Sequence, residues 1–241
     1  MRFKKIGSIA MTAVIGMSVL AGCAAGKSTA GEALFDFSED DSGFIPVFSD
    51  YPDEPDVEQF YEFRAGHEEV PVADAGKGLF ISGNNHSDDL FMGYYKELTG
   101  LTPETEYQFT VRFKLATNVE GGMIGIGGSP GESVFVKCGV VSEKPENELD
   151  ELNHFRLNLD KGSQSQDGSD MAVVGTLAKM ETNRPGEYEF NVIETSITAQ
   201  TDEVGRAYLV IGTDSGFEGA TTYYLDDIFV SWTVADKTSG S

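Results

Sequence analysis

The sequence predicts an all-β protein folded as an antiparallel sandwich or barrel. Three observations lead there. Residues 106–116 alternate strictly, with Tyr107, Phe109, Val111, Phe113 and Leu115 set between Gln108, Thr110, Arg112 and Lys114. Period two belongs to a strand with one buried and one wet face. Shorter runs of the same kind recur along the chain, separated by turns rich in Gly, Asn, Asp and Pro such as T-P-E-T before Glu106 and N-R-P-G before Glu187. No long amphipathic helix intervenes, so crossover connections for a parallel sheet are missing.

In chain order, the predicted strands are Leu34 to Phe37, Leu79 to Ser82, Leu90 to Leu98, Glu106 to Ala116, a strand around Val134 to Val140, Phe155 to Leu159, Tyr188 to Ile193, Ala207 to Ile211 and Tyr223 to Val234. A turn or two of helix is expected at Pro145 to Leu152. In the strand S-V-F-V-K-C-G-V-V, Val134, Val136, Cys138 and Val140 share a face. Cys138 therefore reads as a small apolar core side chain. Trp232 also reads as core, because both faces of its strand are apolar. Tyr94 and Tyr95 are adjacent and must point to opposite faces, so at most one can line a groove.

The first 22 residues are read as a signal peptide. Arg2, Lys4 and Lys5 precede an uncharged stretch from Ile6 to Leu20, which ends in Ala21 and Gly22. As a helix that stretch would reach roughly 22 Å, short of the ~30 Å hydrocarbon core. Leu20-Ala21-Gly22-Cys23 resembles the lipobox of bacterial lipoproteins, in which diacylglyceryl is joined to the cysteine sulfur and the leader is cut before it. The resemblance implies lipid attachment at Cys23, a membrane-anchored protein, and an extracytoplasmic location in the bacterial cell envelope. Residues 23–33 then form the lipidated cysteine and a flexible tether, 34–234 one β-sandwich domain, and 235–241 a disordered tail.

Removing 22 residues from 241 leaves 219, enough for one large all-β domain. Losing the three leader cations moves the formal charge from −23 to −26, with 14 basic residues against 40 acidic. Nucleic acid is excluded as a partner, since its phosphates need lysines and arginines. Anionic headgroups repel such a body too.

Three segments together resemble the galactose-binding-domain-like jelly rolls of carbohydrate-binding modules. They are L-F-D-F-S-E-D-D-S-G-F at 34–44, L-T-P-E-T-E-Y-Q-F-T-V-R-F-K-L-A at 101–116, and Y-Y-L-D-D-I-F-V-S-W at 223–232. The resemblance implies a two-sheet antiparallel jelly-roll sandwich and an external glycan ligand bound without chemistry. It also implies a structural calcium tying first and last strands, with Asp36, Glu39, Asp226 and Asp227 as ligands; solvated carboxylates are the alternative. No other cofactor is implied. The family commonly stacks sugars on exposed aromatic rings, and this chain has one tryptophan.

Three polar loops are expected to converge on a binding surface: 83–89, 127–133 and 160–170. They supply the candidate ligand-binding residues Asn84, Asn85, His86, Asp88, Asp89, Ser129, Asp160, Lys161 and Gln164. Plain turn formation is the competing reading of these loops. Gly127-Gly128-Ser129-Pro130-Gly131 spells a nucleophile elbow, but proline and a strand follow where a helix is required. His67, His86 and His154 show no zinc spacing. Three functions stay open at this stage: glycan-binding surface lipoprotein, envelope assembly lipoprotein binding another protein, and a glycoside hydrolase or lyase on the same fold.

Overall fold

The computed structural model describes residues 28–180 and 184–236. Cys23, the leader and the last five residues lie outside the described residues. Among the described residues no helix is long and apolar enough to cross a membrane.

The elements run β1 (Ala30–Phe35), β2 (Ile45–Ser49), β3 (Tyr51–Pro52), α1 (Val57–Phe60), β4 (Arg64–Glu69), β5 (Lys77–Asn84), β6 (Leu90–Leu98), β7 (Glu106–Thr117), β8 (Val134–Val141), β9 (Asn147–Leu149), β10 (His154–Leu157), β11 (Ala172–Thr176), β12 (Glu189–Gln200), β13 (Ala207–Ser215) and β14 (Ala220–Val234). They form a six-stranded sheet ordered β12-β7-β14-β5-β4, with β1 also on β14, and a five-stranded sheet ordered β11-β8-β13-β6-β2. A small sheet, β3-β10-β9, is separate. All pairings between named strands are antiparallel. From β5 onward the long strands β5, β6, β7, β8, β12, β13 and β14 alternate between the two large sheets, which is the wrapping of a jelly roll.

The alternation in β7 decides which face is inside. Tyr107, Phe109, Val111, Phe113 and Leu115 are all fully buried against Val134, Val136, Cys138 and Ile211 of the opposing sheet. Each ring or branched chain withdrawn from water contributes roughly 1.5–3 kcal/mol. Cys138 is part of this core, and burial pushes its thiol up to about 12. It has no thiolate character to offer chemistry.

The closing strand has apolar residues on both faces for a specific reason. Tyr223 and Leu225 face the core, then a bulge between Asp226 and Phe229 shifts the register against β7, with Asp227 in the left-handed region at φ 45°. After the bulge Ile228, Val230 and Trp232 face inward. Trp232 packs against the core, and a Cβ at its neighbour Gly31 would stand 2.6 Å from the indole ring. Only glycine fits at position 31.

The segments that carry the family resemblance have structural jobs. Phe37 and Phe44 are buried and meet edge to face, with ring centroids 5.5 Å apart. The Tyr107 hydroxyl accepts the Thr102 N–H at 2.9 Å and donates to the Ser28 carbonyl, which fixes the turn before β7 to the start of the chain's described part. β1 and β14 pair directly from Ala30↔Thr233 to Phe35↔Ile228.

Several expected boundaries differ. The first strand begins at Ala30, inside the stretch 23–33 expected as tether, because pairing with β14 satisfies its backbone. At the other end Val234 and Ala235 donate to the carbonyls of Thr29 and Glu106. The helical turn expected at 145–152 is instead β9 and a tight turn. Asp150 accepts the N–H groups of Leu152 and His154 at 2.8 and 2.9 Å, turning the chain back so that β9 pairs with β10.

Candidate functional site

The two sheets differ in what lies on their outer faces. On the five-stranded sheet, Val47, Phe91, Tyr95, Val141, Tyr208 and Val210 are buried beneath Leu157, Leu159 and Met171 from the covering segment after β8. Tyr94 points the other way into the main core, so neither tyrosine of the adjacent pair lines a groove. Among the described residues, the outer face of the six-stranded sheet has no comparable cover and carries aromatic side chains. Phe190 on β12, Ala116 on β7, Tyr224 on β14, Phe80 on β5 and Gly66 on β4 fall in register as one row across it. Tyr188 meets Tyr224 edge-on at 5.7 Å, Tyr224 meets Phe80 at 5.3 Å, the Arg64 guanidinium lies over Phe80 at 4.9 Å, and the Lys114 ammonium over Phe190 at 5.1 Å.

At one end of this row lies an open groove of about 600 Å³. One wall is Pro71, Val72 and Ala73, from the β4–β5 connection that the Val70 N–H closes onto Gly76 at 2.8 Å. The other is the segment Arg184 to Phe190. That second wall is held from below. The buried Lys179 ammonium donates to the carbonyls of Arg184 and Glu187 at 2.6 and 3.0 Å, and Glu120 accepts the Gly186 N–H at 3.1 Å. Glu189 lies 3.4 Å from Lys179 and 3.6 Å from Arg184. The volume is in the range of roughly 300–1,000 Å³ found for ligand clefts. Half-exposed rings, a guanidinium and carboxylates in one open trough suit a ligand with both C–H faces and hydroxyl groups.

The polar loops form a different place. Loops 83–89 and 160–170 do meet: Gln164 donates from its amide to the Asp88 carbonyl at 2.8 Å and from its backbone to Asp214 Oδ2 at 2.8 Å. Lys161 reaches Asp214 at 2.9 Å, Asp50 at 3.1 Å and Asp89 at 3.8 Å. Arg156 bridges Asp50 at 2.8 Å, Asp89 at 3.1 Å and Asp150 at 3.2 Å. Lys137 lies 3.4 Å from Asp214 and donates to the carbonyls of Lys161 and Gln166. This network lies between the five-stranded sheet and its covering segment, with Arg156 and Asp89 partly exposed beside a depression of about 230 Å³. Its charged groups already hold one another.

The remaining candidates are also accounted for. Asn85 is buried and donates to the carbonyls of Ser215 and Phe217 at 2.9 and 3.0 Å, a clamp between loops. Asp160 accepts the N–H groups of Gly162 and Ser169, bonds that hold its carboxyl below the usual range. Ser129 is bonded to Glu132, with its loop continuing through a turn into β8, so the elbow spelling has no elbow geometry. Asn84 donates to Glu62 at 3.0 Å and His86 stacks on Phe60, away from the ionic network. All three histidines bond main-chain carbonyls: His67 to Phe37, His86 to Phe60 and His154 to Leu152.

Among the described residues, Asp36, Glu39, Asp226 and Asp227, implied as calcium ligands, do not form a group of three carboxylates gathered within 4.8 Å. Asp227 pairs with Lys114, and Asp36 accepts both the N–H and hydroxyl of Ser38. Among the described residues, the carboxylates whose oxygens gather within 4.8 Å are Asp50, Asp89 and Asp214. There the Lys161 ammonium already supplies the cation. Calcium needs six to eight oxygens, and among the four implied ligands Asp36 and Asp227 already have Ser38 and Lys114 as partners. Chelation is expected to leave the melting temperature unchanged; a fall on adding chelator, reversed by calcium, would contradict this.

Asp226 gives a pH-dependent signature. Burial, with Asp227 and Asp36 nearby, pushes its carboxyl up to about 6. Burial and Asp50 do the same to Asp89, also to about 6. Between pH 4 and 6 the folded state then holds protons that the unfolded chain has released, so stability falls as pH rises through this window. Asp226→Asn is expected to raise the melting temperature at pH 7 and to flatten the slope between pH 4 and 6, as followed by circular dichroism.

No family model and no curated protein matches this chain. Solved structures do align with it. They include a carbohydrate-binding module described for specific mannan recognition, TmCBM27, at 10% identity over 86% of this chain and 100% of that one, TM-score 0.41. Another is the CBM22-1–GH10 portion of a Clostridium thermocellum endo-1,4-β-D-xylanase complexed with xylohexaose, at 15% identity over 86% of this chain and 28% of that one, TM-score 0.39. A third is the CBM22 tandem of Paenibacillus barcinonensis Xyn10C, at 13% identity over 83% of this chain and 50% of that one, TM-score 0.40. The chain thus spans under a third of the solved xylanase portion and half of the tandem.

Proposed function

We propose that this protein is a non-catalytic glycan-binding lipoprotein of the bacterial envelope, held on the outer side of a membrane by lipid at Cys23, with the sugar lying in the groove between residues 71–73 and 184–190. One observation carries the reading. The outer face of one sheet is sealed by a covering segment, whereas the other displays an in-register aromatic row leading to an open trough. Phe80 is buried, but Tyr188, Phe190 and Tyr224 lie outside the main core and keep part of their surface in solvent, where they can serve a partner. Sugar C–H faces stack on Tyr188 and Phe190, and Arg184, Glu187 and the tyrosine hydroxyl bond the ring substituents. Glu189 is committed to Lys179 and Arg184, which suits holding a ligand more than cleaving it.

A glycan array probed with the full chain in detergent tests the reading. Binding should appear and should weaken strongly in the Tyr188→Ala/Phe190→Ala variant. Product release from any bound glycan would favour the hydrolase reading, and an empty array would favour a protein partner in the envelope. The anchor is tested separately by mass spectrometry, where an unmodified Cys23 thiol in the native product would remove it.

A further inference from the structure

We propose a second, independent sugar-binding station on the ledge formed by α1 and the end of β5, built for one neutral pyranose ring. It does not rest on the groove. The ledge is a depression of about 430 Å³ lined by Asp56, Gln59, Phe60, Glu62, Asn84 and His86. Phe60 is 61% exposed although it sits among rings. One of its faces is taken by His86, stacked at 4.1 Å with 27° between planes, so its other face is free.

The ledge is held rigidly. Beneath it Tyr61 is buried with Tyr51, Leu90, Phe63 and Phe155, and its carbonyl accepts the Asn84 N–H at 2.7 Å. The four-residue helix is flanked by two non-glycine residues in the left-handed region, Asp56 at φ 61° and Glu62 at φ 54°. Such conformations cost energy and persist where the surroundings enforce them. Here they turn Phe60 outward, so that the fold gives up the stabilisation of burying it. Around the ring stand acceptors and donors suited to hydroxyl groups: the carboxylates of Asp56 and Glu62 and the amides of Gln59 and Asn84. Glu62 already orients Asn84 by accepting its amide at 3.0 Å. An aromatic face framed by carboxylates and amides matches the C–H face and equatorial hydroxyls of a hexopyranose. Two carboxylates with no lysine or arginine in the lining exclude an anionic sugar.

The test is titration of the full chain in detergent with β-1,4-linked manno-, xylo- and galactotriose, followed by amide NMR shifts. At least one sugar should move the signals of residues 56–62 and 84–86. Phe60→Ala and Phe60→Leu should each weaken that response at least tenfold, while Phe60→Tyr restores it and all three variants keep the wild-type melting temperature. Shifts confined to residues 184–190, no shifts with any of the three sugars, or full binding by Phe60→Leu would each overturn the ledge. Shifts at the ledge with none at 184–190 would support it and count against the groove.

Discussion

Replacing Tyr188 and Phe190 together by alanine is expected to lower glycan affinity at least about 30-fold, with little change in melting temperature. Truncating an aromatic anchor at the centre of a binding surface costs about 2 kcal/mol or more, and 1.4 kcal/mol is tenfold in affinity. The two rings lie on the open side of the sheet. Ile193, three residues beyond Phe190 and so on the opposite face of the strand, supplies the core contact of β12. Their loss removes ligand contacts and, within the protein, the Tyr188–Tyr224 and Lys114–Phe190 contacts of the outer face, which together are worth about 1 kcal/mol. Titration calorimetry of the double variant, beside its thermal melt, separates the two quantities. Binding at wild-type strength with a normal melt would move the site elsewhere on the protein.

The largest stability effect is expected at Asp214. Its side chain is 0% exposed, and Oδ2 receives Lys161, the Gln164 N–H and Lys137 within 3.4 Å. Burial opposes the charge of both lysines. It prevails at Lys137, whose pKa is lowered, while Asp214, Asp50 and Asp89 outweigh it at Lys161, whose pKa is raised. Asp214→Ala would leave the buried Lys137 ammonium without its carboxylate and Lys161 with Asp50 and Asp89 alone. Breaking a buried pair from one side costs about 3–5 kcal/mol, which for a domain of this size is a fall of roughly 10 °C in melting temperature. Asp214→Asn keeps the shape and an acceptor, but not the charge. It should fall nearly as far, and its recovery to wild type would mean that hydrogen bonding alone holds the covering segment.

Much of the fold was legible because periodicity is a direct imprint of a two-sided environment. The bounds of β6 match the expected strand, and β7 extends it by one residue. Cys138 falls in the core with its three valines. The strands that escaped were short or lay at sheet edges. β4 reads R-A-G-H-E-E and β11 reads A-V-V-G-T, and their backbones are ordered by a neighbour instead of by their own side chains. The apolar residues on both faces of β14 were visible, but their cause was not. A bulge changes the parity midway, and its outward-facing aromatics belong to an open face.

The candidate site divides in the same way. Composition marked loops 83–89 and 160–170 as unusual, and they do gather, yet around one another's charges. Asp89, Lys161 and Gln164 found partners in Asp50, Arg156 and Asp214, residues up to about a hundred positions away in the chain. Y-E-F at 188–190 was read as a strand, with no reason to single out its rings.

By itself, then, the sequence determined the all-β class, the alternating core and the acidic surface, since each depends on residue type and local spacing. Tertiary structure alone decided which outer face is covered, which rings remain in water and which charges cancel. Those are properties of distant segments brought together, and pair energies depend on distances in space that chain order does not contain.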